Sequence, residues 1–345
     1  MPLVFCAGRA VPERLSNSVQ WHPSARRRIA LATYLITGGA GFIGSHLAEA
    51  LVAQGHAVRI LDNFRTGRRS NLAGIRGKVE ILKGDVRDRR AVQAAVRGAD
   101  YILHHAALVS VAESIANPEE TLDVNLNGTL NLLEAARKTK NRRVVLASSC
   151  AVYGAGPVPA REDQAPIPIS PYAVSKLAAE SLAVSYHLSY GLPVTCLRYF
   201  NVYGPRQDPG SPYSGVIAVF ASRAASGGPA TIYGDGRQTR DFIYVADVVQ
   251  ANLLACASDR ALGQVLNIGT GRGRSLLDLR SELAALRGSP LAVHYAEARP
   301  GDIYHSRSDP SRARRILGFR PQTDFRSGLA ATLRWMKDGA TGGAA

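Results

Sequence analysis

From Tyr34 onward the chain alternates short, nearly continuous apolar runs with stretches of helical period. The runs Tyr34–Thr37, Ala57–Leu61, Val79–Leu82, Tyr101–His104, Val144–Ala147, Val194–Tyr199 and Val265–Ile268 predict strands. Strands that read as unbroken apolar runs are covered on both faces, as in a parallel sheet. Helical patterns fall between them, notably Gly41–Gln54, Glu119–Lys138 and Pro171–Tyr190. This alternation predicts an α/β, doubly wound parallel sheet. No stretch repeats at a period of about 20–50 residues, which excludes a solenoid.

The pattern changes after Asn201. Pro205, Pro209, Pro212 and Gly234-Asp235-Gly236 mark loops, and the helical stretches shorten. We expect a main domain over residues 32–201 plus about 236–287, and a smaller α/β lobe from about 202–235 and 288–338. Such a lobe belongs over the carboxyl edge of the sheet, where open α/β folds bind ligands. In residues 1–31, Arg9, Glu13 and His22 interrupt any apolar segment, so the stretch is a poor secretory signal and is expected to be a mobile extension. Residues 339–345 are too small and polar to order on their own.

Composition narrows the function classes. At 46% apolar and 20% charged residues the chain is that of a globular protein. No run of about eighteen uncharged apolar residues occurs, so membrane insertion is not expected. The net charge of +15 raises a nucleic-acid reading. Yet the basic clusters (Arg26 to Arg28; Arg65, Arg68 and Arg69; Arg142 and Arg143; Arg312, Arg314 and Arg315) are scattered and lack interleaved aromatics. They read as a solvated basic surface. Cys6, Cys150, Cys196 and Cys256 are isolated, which predicts no metal site and a reducing, cytoplasmic compartment.

The strongest local signal is Tyr34-Leu-Ile-Thr-Gly38-Gly39-Ala-Gly41-Phe42-Ile43-Gly44. An apolar strand runs into glycines at 38, 41 and 44 and then into a helix. Glycine permits the tight turn and lets backbone approach a pyrophosphate at the positive helix N-terminus. Asp62 ends the next strand, eighteen residues beyond Gly44. A carboxylate there accepts from a ribose diol and repels a 2′-phosphate, favouring NAD over NADP. The predicted architecture is therefore Rossmann-type. Asp85-Val86 is a candidate adenine contact, and Ala106-Ala107 a candidate wall beside the cofactor.

Tyr172 and Lys176 are spaced i, i+4 and share a helix face. Ser170 suits the cap of that helix and Pro171 its first position. Ser148 and Ser149 follow the Val144–Ala147 run, at the edge where side chains reach a ligand. A free tyrosine titrates near pH 10; Lys176 and a cationic nicotinamide are expected to lower it by about 1–3 units. Tyr172 then serves as base, with Ser149 sharing the proton.

These segments together resemble the extended short-chain dehydrogenases/reductases, specifically the nucleotide-sugar 4-epimerases, from about Tyr34 to Gly328. The matching motifs are TGGAGFIGSHL, Asp62-Asn63, Asn125 in Val-Asn-Leu-Asn-Gly, Ser149 before Val152-Tyr153-Gly154, and SPYAVSK. RYFNVYGPR, GDGRQTRDFIYV, Asn267-Ile-Gly-Thr and Arg299-Pro-Gly-Asp302 complete the set. The resemblance implies that Asn63, Val86 and Asn125 join the cofactor site, and that Tyr199 lies by the nicotinamide carboxamide. It further implies that Asn201, Arg240 and Arg299 hold the diphosphate of a UDP-sugar, with Asp302 on its ribose. Gln207, Gly215 and Val216 belong to the same substrate pocket, and the family pairs two helices per subunit into a homodimer. The implied reaction oxidises the sugar at C4, rotates the 4-keto sugar and returns the hydride to the other face.

Dehydratases and decarboxylases of this group carry an acidic residue just after the active-site serine or threonine. Here Cys150 and Ala151 stand instead, which disfavours both reactions. Ser306 and Gly215 are small where glucose-specific relatives often have a tyrosine at the former, and Val109 replaces a lysine. UDP-N-acetylglucosamine/UDP-N-acetylgalactosamine is the leading expectation. UDP-glucose/UDP-galactose and UDP-glucuronate remain alternatives, as does an NAD-sensing or RNA-associated binding protein outside the enzyme class.

Overall fold

The computed structural model describes residues 31–139, 141–210, 215–298 and 303–341. The expected extension, apart from Leu31, lies outside these residues. Seven parallel strands form the main sheet: β1 Thr33–Thr37, β2 Ala57–Asp62, β3 Glu80–Lys83, β4 Tyr101–His104, β5 Arg143–Ser149, β6 Val194–Tyr199 and β7 Gln264–Ile268. Their order is β7-β6-β5-β4-β1-β2-β3. The chain builds outward from β1 to β3 and then crosses back to β4. The reversal between β1 and β4 opens a crevice at the carboxyl ends, where such sheets take their ligands. Every residue of β4 and β6 is buried, which is why these strands read as unbroken apolar runs. Strand β5 runs two residues past its apolar core, because Ser148 and Ser149 pair with Arg198 and Tyr199.

One apolar cluster fills the space between the sheet and the helices Arg89–Val96, Gly128–Thr139 and Pro171–Tyr190, with Leu35, Ile102, Leu132, Val144 and Val194 at its centre. Each fully buried side chain of this size contributes about 1.5–3 kcal/mol. A second cluster joins Phe220, Ile232, Leu279, Leu283, Leu329 and Leu333 from the helices Val216–Ser226, Leu276–Arg287 and Phe325–Thr341 and the strand Ala230–Tyr233. The last helix continues to Thr341, into the first residues of the expected polar tail. Among the described residues no helix is long and apolar enough to cross a membrane.

The Pro171–Tyr190 helix has the expected bounds. The Ser170 hydroxyl accepts from Ala173 N at 3.2 Å, Pro171 takes the first turn, and Gly191 closes the other end in the left-handed region at φ 67°. Of its apolar residues, Leu177 and Leu182 pack inward against the chain's own clusters, and Val174 and Leu188 are exposed. The expected helix over Glu119–Lys138 is helical throughout and contains one π turn. It comprises Pro118–Leu122, a π-helical turn over Asp123–Asn127, and Gly128–Thr139. Asn125 sits in that turn: its amide reaches sideways to Leu108 and Ser175, and Thr129 Oγ1 donates back to Asn125 O at 2.6 Å.

Candidate active site

The glycine turn shows why each glycine is needed. Gly38 has φ 68°, and a β-carbon on it would come within 2.8 Å of Ala106 N. A β-carbon on Gly44 would collide with the Gly38 carbonyl oxygen and lie 2.8 Å from Gly39 Cα. The first turn of the Phe42–Ala53 helix therefore packs directly on the turn, and Gly41 leaves that helix without a side-chain cap. Phe42 and Ile43 pack their side chains against the second apolar cluster, leaving backbone to face the crevice. Asp62 is buried at the end of β2. Its carboxylate accepts from Ala40 N at 2.9 Å and Phe64 N at 2.8 Å, locking it to the glycine turn. A bare backbone cradle beside a fixed carboxylate fits NAD.

The other cofactor positions lie around this turn. Asn63 Nδ2 donates to Asp85 Oδ2 at 2.9 Å, and Arg87 pairs with the same carboxylate at 2.9 Å, holding it well below its ordinary range. Val86 is buried and backs onto Gly128, where a β-carbon would come within 2.6 Å of its Cγ2. Ala106 and Ala107 follow β4, and Ala106 N donates to Thr37 Oγ1 at 3.2 Å. Asn125 is held by partners within the protein. Its Oδ1 accepts from Leu108 N at 2.8 Å, while Nδ2 donates to Leu108 O and Ser175 Oγ at 2.9 Å. It ties the loop after β4 to the helix of Tyr172. Tyr199 is likewise engaged within the protein: Asn252 Nδ2 donates to its hydroxyl at 2.8 Å, and His105 Nε2 lies 3.0 Å away.

Ser149, Tyr172 and Lys176 converge. Tyr172 hydrogen-bonds Ser149, whose Oγ also accepts from Ala151 N at 3.1 Å. Lys176 Nζ donates to Ala147 O at 2.9 Å, and burial pushes its ammonium down to about 8. The expected lowering of Tyr172 does not occur in the protein alone. Burial pushes its phenol up to about 12, outweighing the Ser149 hydrogen bond. Behind Lys176, His104 bridges Thr37 Oγ1 at 2.7 Å and Thr129 Oγ1 at 3.1 Å. Burial and the Lys176 charge push His104 down to about 3. The floor is a buried network: Arg198 binds Glu180 through two nitrogens at 2.5 and 2.9 Å and donates to Tyr153 OH at 2.8 Å.

The substrate positions close on the same point. Cys150 lies close enough to Ser306, the Asn201 backbone, Tyr172, Arg240 and Asp241 for their dipoles and charges to act on its thiol. Its thiol is pushed up to about 11 by burial and is neutral. Ser306 pairs with Arg240 across adjacent strands, and Asn201 Nδ2 donates to Asp241 O at 3.2 Å. Gln207 Nε2 donates to Val202 O, and a β-carbon on Gly215 would come within 2.9 Å of that nitrogen. Val216 begins the next helix and is half-buried. Arg299 and Asp302 lie outside the described residues.

Asp241, His105 and Asn252 were not singled out by the sequence. Asp241 accepts from Thr270 N and Oγ1, Gly271 N, and Ser308 N and Oγ. Its place directly after Arg240 was the available signal; the partners lie about thirty and seventy residues away and are not visible in local pattern.

Comparison with known proteins gives concordant results. Residues 34–269 match the NAD dependent epimerase/dehydratase family. The chain is 41% identical to the UDP-glucose 4-epimerase of Thermus thermophilus solved with NAD, at TM-score 0.82, covering 88% of this chain and 99% of that one. It is 38% identical to the UDP-N-acetylglucosamine 4-epimerase of Methanobrevibacter ruminantium solved with UDP-N-acetylmuramic acid, at TM-score 0.86, covering 90% and 100%. It is also 37% identical to a UDP-N-acetyl-alpha-D-glucosaminuronate decarboxylase of Bacillus cytotoxicus, over 88% of this chain and 97% of that protein.

Proposed function

The chain belongs to the NAD-dependent epimerase/dehydratase family, and from that premise we propose that it interconverts UDP-N-acetylglucosamine and UDP-N-acetylgalactosamine. That it is a UDP-sugar epimerase using NAD follows from its relatives and its site. The finer reading rests on the small side chains of Cys150 and Ser306, which lie close enough for the hydroxyl to act on the thiol, and on Gly215. Two small neutral side chains line the pocket where an acid would be needed for dehydration or decarboxylation. The carboxylate beside them, Asp241, is already saturated by five donors from Thr270, Gly271 and Ser308. Hydride removal and return at C4 is the chemistry that needs no further acid.

NAD⁺, when bound, supplies the hydride acceptor and later the donor. Gly38, Gly41, Gly44, Asp62, Asn63 and Ala106 would hold it, with Asp62 selecting against a 2′-phosphate. Tyr172 Oη takes the proton of the sugar 4-hydroxyl and gives it back, and Ser149 Oγ orients that hydroxyl. Lys176, one helical turn from Tyr172 and anchored on Ala147 O, supplies the cation of the dyad. Arg240 and Asn201, with Arg299 and Asp302, would bind the UDP diphosphate and ribose, as guanidiniums and amides suit a pyrophosphate. We assign this sugar-nucleotide half to the lobe of 202–235 and 288–338. The free thiols Cys150, Cys196 and Cys256 fit a cytoplasmic enzyme.

The test is Ser306→Tyr. An added ring should fill the space for the C2 acetamido group, lowering turnover of UDP-N-acetylglucosamine relative to UDP-glucose by at least about tenfold, equivalent to roughly 1.4 kcal/mol. An equal loss for both sugars contradicts the gate and favours the UDP-glucose reading.

A further inference from the structure

A second cavity, of about 520 Å³, shares no residue with the positions described above for catalysis or cofactor. Thr270, Arg272 and Arg274, in the segment after β7, line one side; Arg314, Arg320 and Phe325 line another. In the sequence these arginines are dispersed and read as solvated charge. The fold converges four guanidiniums on one space. One carboxylate, Asp324, also lines the cavity and accepts from Ser327 N at 2.9 Å and Oγ at 2.6 Å; Asp309, close enough to Arg314 to feel its charge, accepts from Ser311 N at 2.9 Å. Four guanidiniums against one carboxylate leave the cavity with an excess of positive charge that an anion would balance, and guanidinium forks match phosphate oxygens in pairs. The rim is also preset, because Thr270 is fixed through N and Oγ1 to Asp241 at 2.9 and 2.5 Å. Arg274 lies 5.7 Å from the Phe325 ring, which stacks on Phe242 and gives the cavity an apolar, aromatic floor.

We propose that this cavity binds a phosphorylated anion of nucleotide size, its phosphates on Arg272, Arg274, Arg314 and Arg320. The volume is within the range of small-molecule sites and far exceeds the needs of one orthophosphate. The experiment is a calorimetric titration of the full chain with inorganic triphosphate and, separately, ATP. NAD⁺ and UDP are kept saturating, so that the dinucleotide and sugar-nucleotide sites are filled. One binding event is expected, weakened at least about tenfold in Arg272→Ala/Arg320→Ala and in Arg274→Ala/Arg314→Ala. Arg315→Ala, an exposed arginine next to Arg314 on the Ser311–Leu317 helix and outside the lining, should leave it unchanged. Equal affinity for the two probes identifies inorganic polyphosphate as the ligand. Tighter ATP binding that is lost in Phe325→Leu identifies a nucleotide. Absence of binding, binding insensitive to the four arginines, or equal weakening by Arg315→Ala overturns the proposal. None of these outcomes bears on epimerisation, which is measured by turnover.

Discussion

In the proposed mechanism Tyr172 is the base, and its environment explains why it would work only in company. Burial alone raises its phenol to about 12, so the free protein holds it protonated at neutral pH. The i, i+4 spacing with Lys176 was legible in the sequence, but the net direction of the shift was not, because desolvation depends on the complete fold. Replacing Tyr172 with Phe keeps the ring and removes the proton acceptor. We expect kcat to fall by at least about 10²-fold with a modest change in KM. Steady-state kinetics on any accepted UDP-sugar measures this, and near-normal turnover excludes Tyr172 as the base. Asp241 is the counterpart at this scale: a carboxylate in the right neighbourhood for acid chemistry, used up in holding loops together.

Among the elements, strands such as β4 and β6 were readable because both faces are buried and the apolar runs are continuous, while the edge strand β3, with no buried residue, was readable only from its short apolar run. The Glu119–Lys138 helix was legible in place and length, but not its π-helical turn, where Asn125 reaches Leu108 and Ser175, 17 and 50 residues away. Periodicity carries no such information. Strand β4 has a further consequence at its end. His104 is enclosed by Thr37, Thr129, His105 and Lys176 and is held neutral, down to about 3. In the unfolded chain it titrates near pH 6.5. Above that value both states are neutral and the fold has its full stability. As the pH falls from 6.5 toward the folded value, only the unfolded state takes the proton, and stability is lost. Between pH 7.5 and 5.5 this amounts to about 1.4 kcal/mol. Urea unfolding at the two pH values should show it, and His104→Gln should flatten the dependence by that amount. An unchanged slope in the variant assigns the acid sensitivity to other groups.

For the whole molecule, the chain presents Val174 at 44% and Leu188 at 78% exposure on the Pro171–Tyr190 helix, with Leu122 exposed on the neighbouring Pro118–Leu122 helix. We propose that these faces meet those of a second copy in a homodimer, as isologous helix pairs do. Light scattering at micromolar protein should give twice the chain mass, and Leu188→Glu should shift it toward monomer; a monomeric wild type contradicts the pairing. The assembly matters less to the account than the pocket it surrounds. The family gives a UDP-sugar 4-epimerase using NAD, and the small side chains at Cys150 and Ser306 are the ground on which we propose that its pocket admits an acetamido group. The most direct measurement incubates the purified protein with NAD⁺ and each of UDP-N-acetylglucosamine, UDP-glucose and UDP-glucuronate, and resolves the products by chromatography and mass. The account predicts UDP-N-acetylgalactosamine of unchanged mass from the first, formed faster than the epimer of either other sugar. Release of carbon dioxide or water, or faster epimerisation of UDP-glucose or UDP-glucuronate, would contradict it.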